Sequence, residues 1–183
     1  MKLYLVRHGE TDWNVLDKKQ GTTDVPLNEV GRKQAEKLRE EIRDLEFDVC
    51  IASPLKRAYE TAEIITGGRY KIMTDKRLVE RSFGGFEGTL NKDWEKLSGG
   101  VDTWDRKLNF GGRGMETAKE TLARARDFLD DIKKRYAGDA KILVVAHGSL
   151  LKALHFEILG YDDGTNFHTV YFGNAEMREY NLE

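Results

Sequence analysis

Short apolar runs of strand type alternate along the chain with segments whose apolar residues recur at helical spacing. A continuous apolar run indicates a buried strand, and a period near 3.6 residues indicates an amphipathic helix. On this basis we predict strands at 2–6, 47–52 and 141–146, and helices at 28–45, 53–65, 116–136 and 149–159. Asn28 and Ser53 are expected to cap the helices that follow them, because their side chains accept hydrogen bonds from free backbone N–H groups.

The order of these elements is that of an α/β fold. We predict a three-layer α/β/α sandwich with a mostly parallel central sheet, formed by one domain over residues 1–183, with the active site at the carboxyl ends of the strands. The fully apolar strand 141–146 is typical of the middle of such a sheet. Less regular segments predict a short strand at 70–73, a loop at 83–86, a short helix at 91–97 and a terminal strand pair at 169–172 and 177–180.

Composition restricts the partners of the chain. Its 183 residues carry 30 basic and 32 acidic side chains, scattered along the sequence, for a net charge of −2. This balance gives no reason to expect nucleic acid or an anionic membrane as a partner, so any anion site must be local. The single cysteine, Cys50, cannot form an internal disulfide, a strand begins at residue 2, and no apolar run reaches membrane-spanning length. We therefore expect a cytoplasmic protein.

Polar side chains stand at the points where the predicted strands end. The first strand ends on Arg7-His8-Gly9, and the strand at 141–146 ends on His147-Gly148. Arg57 lies one turn into the helix that follows the strand at 47–52. If these strands are neighbours in a parallel sheet, two arginines, two histidines and a helix N-terminus meet at one edge. Such a group is suited to a dianion, most naturally a phosphoryl group.

Six blocks of sequence in this order resemble the histidine phosphatase superfamily, the group that includes the cofactor-dependent phosphoglycerate mutases. The blocks are 5–11 with Asn14, Gly21 with 24–28, 53–58, Glu80 with 83–88, 115–117 and 144–148. Together they span almost the whole chain. One block alone is only suggestive, whereas six in order identify the chain as resembling a member of this family.

The resemblance implies a role for each residue of this constellation. His8 would attack phosphorus in line and form a phosphohistidine, for which its imidazole must be neutral. Arg7, Arg57 and His147 would hold the phosphoryl oxygens, where charge is spread in the transition state. Glu80 would protonate the leaving oxygen and then activate water. The residues that would help to bind the substrate are Asn14, Gln20, Gly21 and Gly148.

Residues outside the blocks give no sign of other chemistry. The chain has no His-Glu-x-x-His motif, no paired cysteines and no Walker-type phosphate loop. We therefore expect a reaction without a metal or other cofactor. His155 and His168 match no block and are interpreted as structural or surface residues.

The resemblance leaves a choice between a hydrolase and a mutase. The short chain and residues 83–88 favour a phosphatase, since the mutases are typically longer. Glu80-Arg81 followed by Lys92 resembles the mutases, whereas Trp104-Asp105-Arg106-Lys107 departs from their Trp-Arg-Arg stretch. Four cations, Arg81, Lys92, Arg106 and Lys107, are candidates for a rim that selects a multiply anionic substrate; ordinary surface charge is an equal alternative.

The sequence therefore predicts a metal-independent phosphatase that acts on a small phosphorylated metabolite. A cofactor-dependent phosphoglycerate mutase, which needs a bisphosphorylated primer, is the alternative. A catalytically silent phospho-ligand binder is a third possibility, which the presence of the nucleophile, both arginines and the candidate acid disfavours. The oligomeric state is left open.

Overall fold

The computed structural model describes residues 1–106, 114–136 and 138–182, which form a five-stranded sheet with helices on both faces. The strands are β1 (Lys2–Arg7), β2 (Val49–Ala52), β3 (Ile72–Thr74), β4 (Lys141–Ala146) and β5 (Met177–Asn181). The helices are α1 (Asp12–Val15), α2 (Glu29–Glu41), α3 (Lys56–Thr66), α4 (Trp94–Ser98), α5 (Ala118–Arg135) and α6 (Gly148–Leu159). Short 3₁₀ helices lie at Lys76–Leu78, Gly84–Phe86, Asn91–Asp93 and Phe167–Thr169.

The sheet has the strand order β3-β2-β4-β1-β5. All neighbouring strands are parallel except β5, which pairs antiparallel with β1 at the edge. β4 lies in the middle, with Leu143 opposite Tyr4 of β1 on one side and Cys50 of β2 on the other. The mostly parallel sheet, whose central strand is apolar from Ile142 to Ala146, confirms the predicted α/β class.

β1 contributes to two cores, because successive side chains of a strand point to opposite faces of the sheet. Leu3 and Leu5 pack with α5 and α6, whereas Tyr4 and Val6 pack with α2 and α3. Burying an aliphatic or aromatic side chain of this kind stabilises the fold by about 1.5–3 kcal/mol. In the part of the chain that the structure describes, no helix combines the length and the apolar character needed to cross a membrane.

The start of α2 agrees with the sequence prediction, but the start of α3 does not. Asn28 Oδ1 accepts a hydrogen bond from Gly31 N and caps α2, which ends at Glu41, earlier than predicted. Ser53 does not cap α3, which begins at Lys56 without a side-chain cap. The buried Ser53 hydroxyl accepts a hydrogen bond from Leu55 N at 3.3 Å, before the helix begins, and hydrogen-bonds with His147 Nε2 at 2.8 Å.

Only one strand of the predicted terminal pair forms. β5 occupies the free edge of β1, whereas the segment 169–172 is not a strand. Its carbonyl groups bind arginines: Phe172 O accepts from Arg7 Nη1 at 2.7 Å, and Tyr171 O accepts from Arg178 Nη2 at 2.5 Å. These two carbonyl groups, which a strand would pair with a neighbouring strand, therefore accept hydrogen bonds from arginine side chains.

Candidate active site

The strand order brings the predicted site residues together. β1, β4 and β2 are adjacent and parallel, so their carboxyl ends lie at one edge of the sheet, with Arg7 opposite Ala146 and Ala52 opposite Val145. The residues that follow these ends, His8 and His147, have their ring centroids 5.1 Å apart. The predicted meeting of the two histidines is thus present in the structure.

His8 is held as a neutral imidazole of one tautomer. Its ring is 3% exposed, and Nδ1 lies 2.7 Å from Gly9 O. Because a carbonyl oxygen only accepts, Nδ1 carries the proton, and Nε2 presents a lone pair toward Arg57 Nε at 3.3 Å. Burial, followed by the charges of Arg57 and Arg7, lowers the pKa of His8 well below its ordinary value. An unprotonated Nε2 is the form that can act as a nucleophile.

Gly9 is required by a close backbone approach. A Cβ at this position would lie 2.4 Å from Gly31 O, at the start of α2. Gly9 N also donates to Thr61 Oγ1 of α3 at 3.1 Å. The glycine therefore lets the turn that carries His8 pack directly against two helices, which fixes the position of the imidazole.

Arg57 is a fully buried cation whose donors are directed at backbone carbonyls. Nη1 donates to Thr23 O and Nη2 donates to Gly21 O, each at 2.8 Å, while Nε donates to His8 Nε2. Burial lowers its pKa to about 10, against the attraction of Glu80 and two other carboxylates. The guanidinium remains charged at neutral pH and is held rigidly beside the nucleophile.

Arg7 is positioned from the other side by the segment before β5. Its Nη1 donates to Tyr171 OH at 2.9 Å as well as to Phe172 O. Its Nε is buried and has no hydrogen-bond partner. Buried donors are rarely left without a partner, so this N–H is available to a ligand.

His147 lies behind the nucleophile and is completely buried. Burial, then the charge of Arg57, lowers its pKa well below the ordinary value. Its Nε2 is occupied by Ser53, but Nδ1 is buried without a hydrogen-bond partner. Like Arg7 Nε, His147 Nδ1 is therefore available to hydrogen-bond with a ligand.

Glu80 is tied to the N-terminus of α6. Its Oε1 accepts from Arg81 N at 2.8 Å and from Leu150 N at 3.1 Å, and Oε2 accepts from Ser149 N at 3.1 Å. A Cβ built on Gly148 would be 3.7 Å from Arg7 Nε and 3.9 Å from Glu80 Oε2. Arg7 Nε and Glu80 Oε2 thus both face Gly148.

A small cavity of about 210 Å³ is lined by Arg7, His8, Arg57 and Glu80 but not by the fully buried His147. It is smaller than the roughly 300–1,000 Å³ of sites for drug-sized ligands. The predicted residues on its wall are Arg7, His8, Asn14, Gln20, Gly21, Arg57, Glu80 and Gly148. Residues that sequence reasoning missed are Lys18, Lys19, Phe83, Asn91, Ser149, Lys152, Tyr171 and Phe172. Of these, Lys152 could have been found from the sequence, since it lies one helical turn after Gly148 in a predicted helix.

The cations expected at the rim lie elsewhere. Arg81 is fully buried outside the cavity wall: its Nε donates to Glu116 O at 2.8 Å, and its Cζ lies 5.2 Å from the centroid of Trp104. Lys92 is exposed and does not line the cavity. Arg106 borders a separate cavity of about 630 Å³ and pairs with Asp163. Lys107 falls outside the described residues.

Among the residues that the structure describes, no group of three or more His, Cys, Asp or Glu side chains is placed to hold a metal ion. His155, which matched no sequence block, hydrogen-bonds through Nδ1 with Tyr180 OH at 2.7 Å. His168 is exposed and pairs with Asp102. Neither histidine lines the cavity.

Glu87 fastens the loop that holds Arg57. One oxygen of its carboxylate accepts from Thr22 N and Phe83 N, at 2.9 and 3.2 Å, and the other accepts from Thr23 N at 2.9 Å. Both threonine hydroxyls donate to the same carboxylate. Burial alone would raise the pKa of Glu87, but hydrogen bonds from Thr23, Thr22 and Phe83 lower it. Gly21 permits this contact, since it has φ of +53° and a Cβ would lie 2.1 Å from Glu87 Oε1.

Glu87→Gln is expected to lower both stability and kcat. An amide offers one acceptor oxygen and would turn an NH₂ group toward backbone donors, at a cost of about 1–3 kcal/mol. Freeing the carbonyls of residues 21–23 should also loosen Arg57 and reduce kcat roughly tenfold, since each misplaced donor weakens transition-state binding. Thermal unfolding and steady-state kinetics measure the two effects. Glu36→Gln, on the exposed side of α2, is the control. An unchanged kcat in Glu87→Gln would show that the loop positions Arg57 without this carboxylate.

A family comparison agrees with this geometry. The model of the histidine phosphatase superfamily (branch 1) matches residues 3–183. The chain belongs to the histidine phosphatase superfamily, as its six sequence blocks predicted.

Individual relatives carry names of both reaction types. An uncharacterized phosphatase, PhoE, of Bacillus subtilis (strain 168) is 38% identical over 96% of this chain and 88% of its own length. A 2,3-bisphosphoglycerate-dependent phosphoglycerate mutase of Mesorhizobium japonicum is 33% identical over 95% of this chain and 93% of its own. A solved mycobacterial glucosyl-3-phosphoglycerate phosphatase, complexed with VO3, is 28% identical, with a TM-score of 0.86 over 97% of this chain and 91% of that one. The phosphatase names support a phosphatase of this superfamily.

Proposed function

We propose that this protein is a metal-independent phosphatase that hydrolyses small phosphomonoesters through a phosphohistidine on His8. The observation that carries this proposal is the state of His8 itself: a buried, neutral imidazole whose proton is fixed on Nδ1 and whose Nε2 faces a cationic group. A histidine that served only packing would not need an arginine directed at its free nitrogen.

The groups around His8 fit a phosphoryl group. The unpartnered Arg7 Nε and His147 Nδ1 would bind two phosphoryl oxygens, and Arg57 would bind a third when its Nε turns from His8 to the substrate. With the Ser53 hydroxyl donating to His147 Nε2, the proton of this neutral ring lies on Nδ1, where a phosphoryl oxygen can accept it. Donors that are already in place and without a partner, here Arg7 Nε and His147 Nδ1, stabilise the spread charge of the transition state without reorganising.

The reaction then has two balanced steps. In the first, the lone pair of His8 Nε2 attacks phosphorus, the bond between phosphorus and the ester oxygen breaks, and protonated Glu80 gives its proton to the leaving oxygen. In the second, Glu80 takes a proton from water, the water oxygen attacks phosphorus, and the bond between phosphorus and Nε2 breaks. Phosphate leaves and His8 is restored. Arginines and an imidazole supply the electrostatic stabilisation that a metal provides in other phosphatases.

The direct test is hydrolysis of 4-nitrophenyl phosphate by purified protein in the presence of EDTA. We expect turnover that the chelator does not change, and no comparable turnover by His8→Ala protein. Absence of hydrolysis by the wild type, or loss of activity in EDTA that a divalent metal restores, would overturn the proposal.

The mutase alternative has one specific support, a mutase-named relative that is matched over 93% of its own length. It predicts interconversion of 2- and 3-phosphoglycerate that a bisphosphorylated primer stimulates. We expect hydrolysis to exceed isomerisation, because Lys92 and Arg81, which resemble mutase substrate residues in sequence, do not line the cavity. Primer-dependent isomerisation faster than hydrolysis would reverse this order.

A further inference from the structure

The charges on the wall of the cavity exceed those of one phosphoryl group. The cations on the wall are Arg7, Lys18, Lys19, Arg57 and Lys152, and the carboxylate is Glu80. Both histidines of the site are neutral at pH 7, since their pKa values are lowered. A phosphoryl dianion held between the arginines therefore leaves the lysines without a counter-charge from the substrate.

Lys19 and Lys152 reach this wall from different parts of the chain and are held there by aromatic rings. Lys19 Nζ lies 4.3 Å from the centroid of Trp94 and 4.9 Å from that of Phe83. Lys152 Nζ, on α6, lies 5.2 Å from the centroid of Trp104. A cation–π contact of this kind holds an ammonium group in a fixed position over the ring. It leaves the charge free to bind an anion.

Neither ammonium group is neutralised by a direct partner. Among the described residues, the salt bridges of the chain include neither Lys19 nor Lys152, and no carboxylate hydrogen-bonds to either Nζ. Asp17 attracts Lys19, and Glu80 and Asp102 attract Lys152, from longer range. Burial, together with repulsion by Arg81, nevertheless lowers the pKa of both lysines. Partly buried lysines without a salt bridge are costly unless a ligand pairs with them.

We propose that Lys19 and Lys152 form a subsite for a second anionic group, so that the preferred substrates are small phosphomonoesters that also carry a carboxylate or a second phosphate. The inference rests on the proposed function, because it places the scissile phosphoryl group between Arg7 and Arg57. It differs from the rim expected from sequence, whose Arg81 and Lys92 lie off the cavity wall. The size of the cavity restricts such a substrate to a short carbon chain.

The test is equilibrium binding to protein that carries His8→Asn, so that turnover does not interfere. The ligands are sn-glycerol 3-phosphate, D-3-phosphoglycerate, in which a carboxylate replaces the free CH₂OH group, and glycerol 1,3-bisphosphate, in which that group is phosphorylated. Titration calorimetry should show that at least one of the two ligands with a second anionic group binds about tenfold more tightly than glycerol phosphate. One charge-assisted contact is worth about that factor. The tighter of the two identifies whether the subsite suits a carboxylate or a phosphate.

Lys19→Met and Lys152→Met, each added to His8→Asn, locate the effect. Each substitution should lower the affinity for the ligand with a second anionic group roughly tenfold and change the affinity for glycerol phosphate no more than about twofold. Lys92→Met should change neither affinity. Lys19→Arg, which keeps the charge, should retain most of the preference and controls for folding. Equal affinity for all three ligands, or equal loss for all of them in the lysine variants, would overturn the subsite. Hydrolysis of 4-nitrophenyl phosphate would still test the proposed function separately.

Discussion

His8→Asn protein is expected to hydrolyse 4-nitrophenyl phosphate at least on the order of 10⁴-fold more slowly than the wild type. Removal of a catalytic nucleophile in a well-organised site costs between about 10⁴ and 10⁶ in kcat. Asparagine is smaller than histidine but can still hydrogen-bond, and its amide nitrogen has no lone pair that attacks phosphorus. The arginines and His147 stay in place, so phosphate should still bind.

A matched histidine outside the cavity separates loss of the nucleophile from loss of a histidine in general. His168 is exposed and pairs with Asp102, so His168→Ala should leave kcat within about twofold of the wild type. Thermal unfolding confirms that His8→Asn protein is folded. Substantial residual turnover, within about tenfold of the wild type, would mean that the phosphoryl group is transferred directly to water.

Replacing Arg57 should affect both the rate and its pH dependence, and two substitutions distinguish the causes. Arg57→Lys keeps the charge but cannot reach Gly21 O, Thr23 O and the substrate together, because an ammonium is a point donor. Arg57→Met removes the charge as well. Both should lower kcat by about 10²–10³, as does loss of one donor from an oxyanion site.

The acid limb of kcat/KM should move only in Arg57→Met. His8 is active when neutral, and Arg57 is one of the charges that lower the pKa of His8, after burial itself. Without this cation the pKa of His8 rises toward its ordinary value of about 6.5, so activity is lost at a higher pH as the solution is acidified. The substrate is the same in each profile, so its own titration cancels in the comparison. Coincident acid limbs for the wild type and Arg57→Met would show that this charge does not tune the nucleophile.

The sequence predicted the α/β class and the residues around His8, because both follow from where the apolar strands lie and where they end. Buried parallel strands such as β1 and β4 can be recognised in the sequence as apolar runs, and parallel strands place their carboxyl ends together. His8, His147 and Arg57 could therefore be assigned to one edge of the sheet from the sequence alone. The pairing of Ser53 with His147 could not be predicted, because the hydroxyl suits a helix cap equally well.

Which cations line the cavity could be determined only from the tertiary structure. Nothing in a linear sequence distinguishes Lys19, which turns onto Trp94, from Lys92, which faces solvent. Arg81 follows Glu80 directly, yet its side chain packs behind the cavity wall on Trp104. These orientations depend on contacts between segments far apart in the chain, such as that between α6 and Trp104, which local periodicity does not encode.

The proposed mechanism requires a phosphoryl group bound covalently to His8. Rapid mixing of the enzyme with ³²P-labelled substrate, quenching in alkali and peptide mapping measures it. We predict a phosphoenzyme that forms at least as fast as steady-state turnover, is labile in acid and stable in alkali, and carries its label on the peptide containing His8. Label on another residue, or full turnover with no labelled protein at any mixing time, would contradict the central claim.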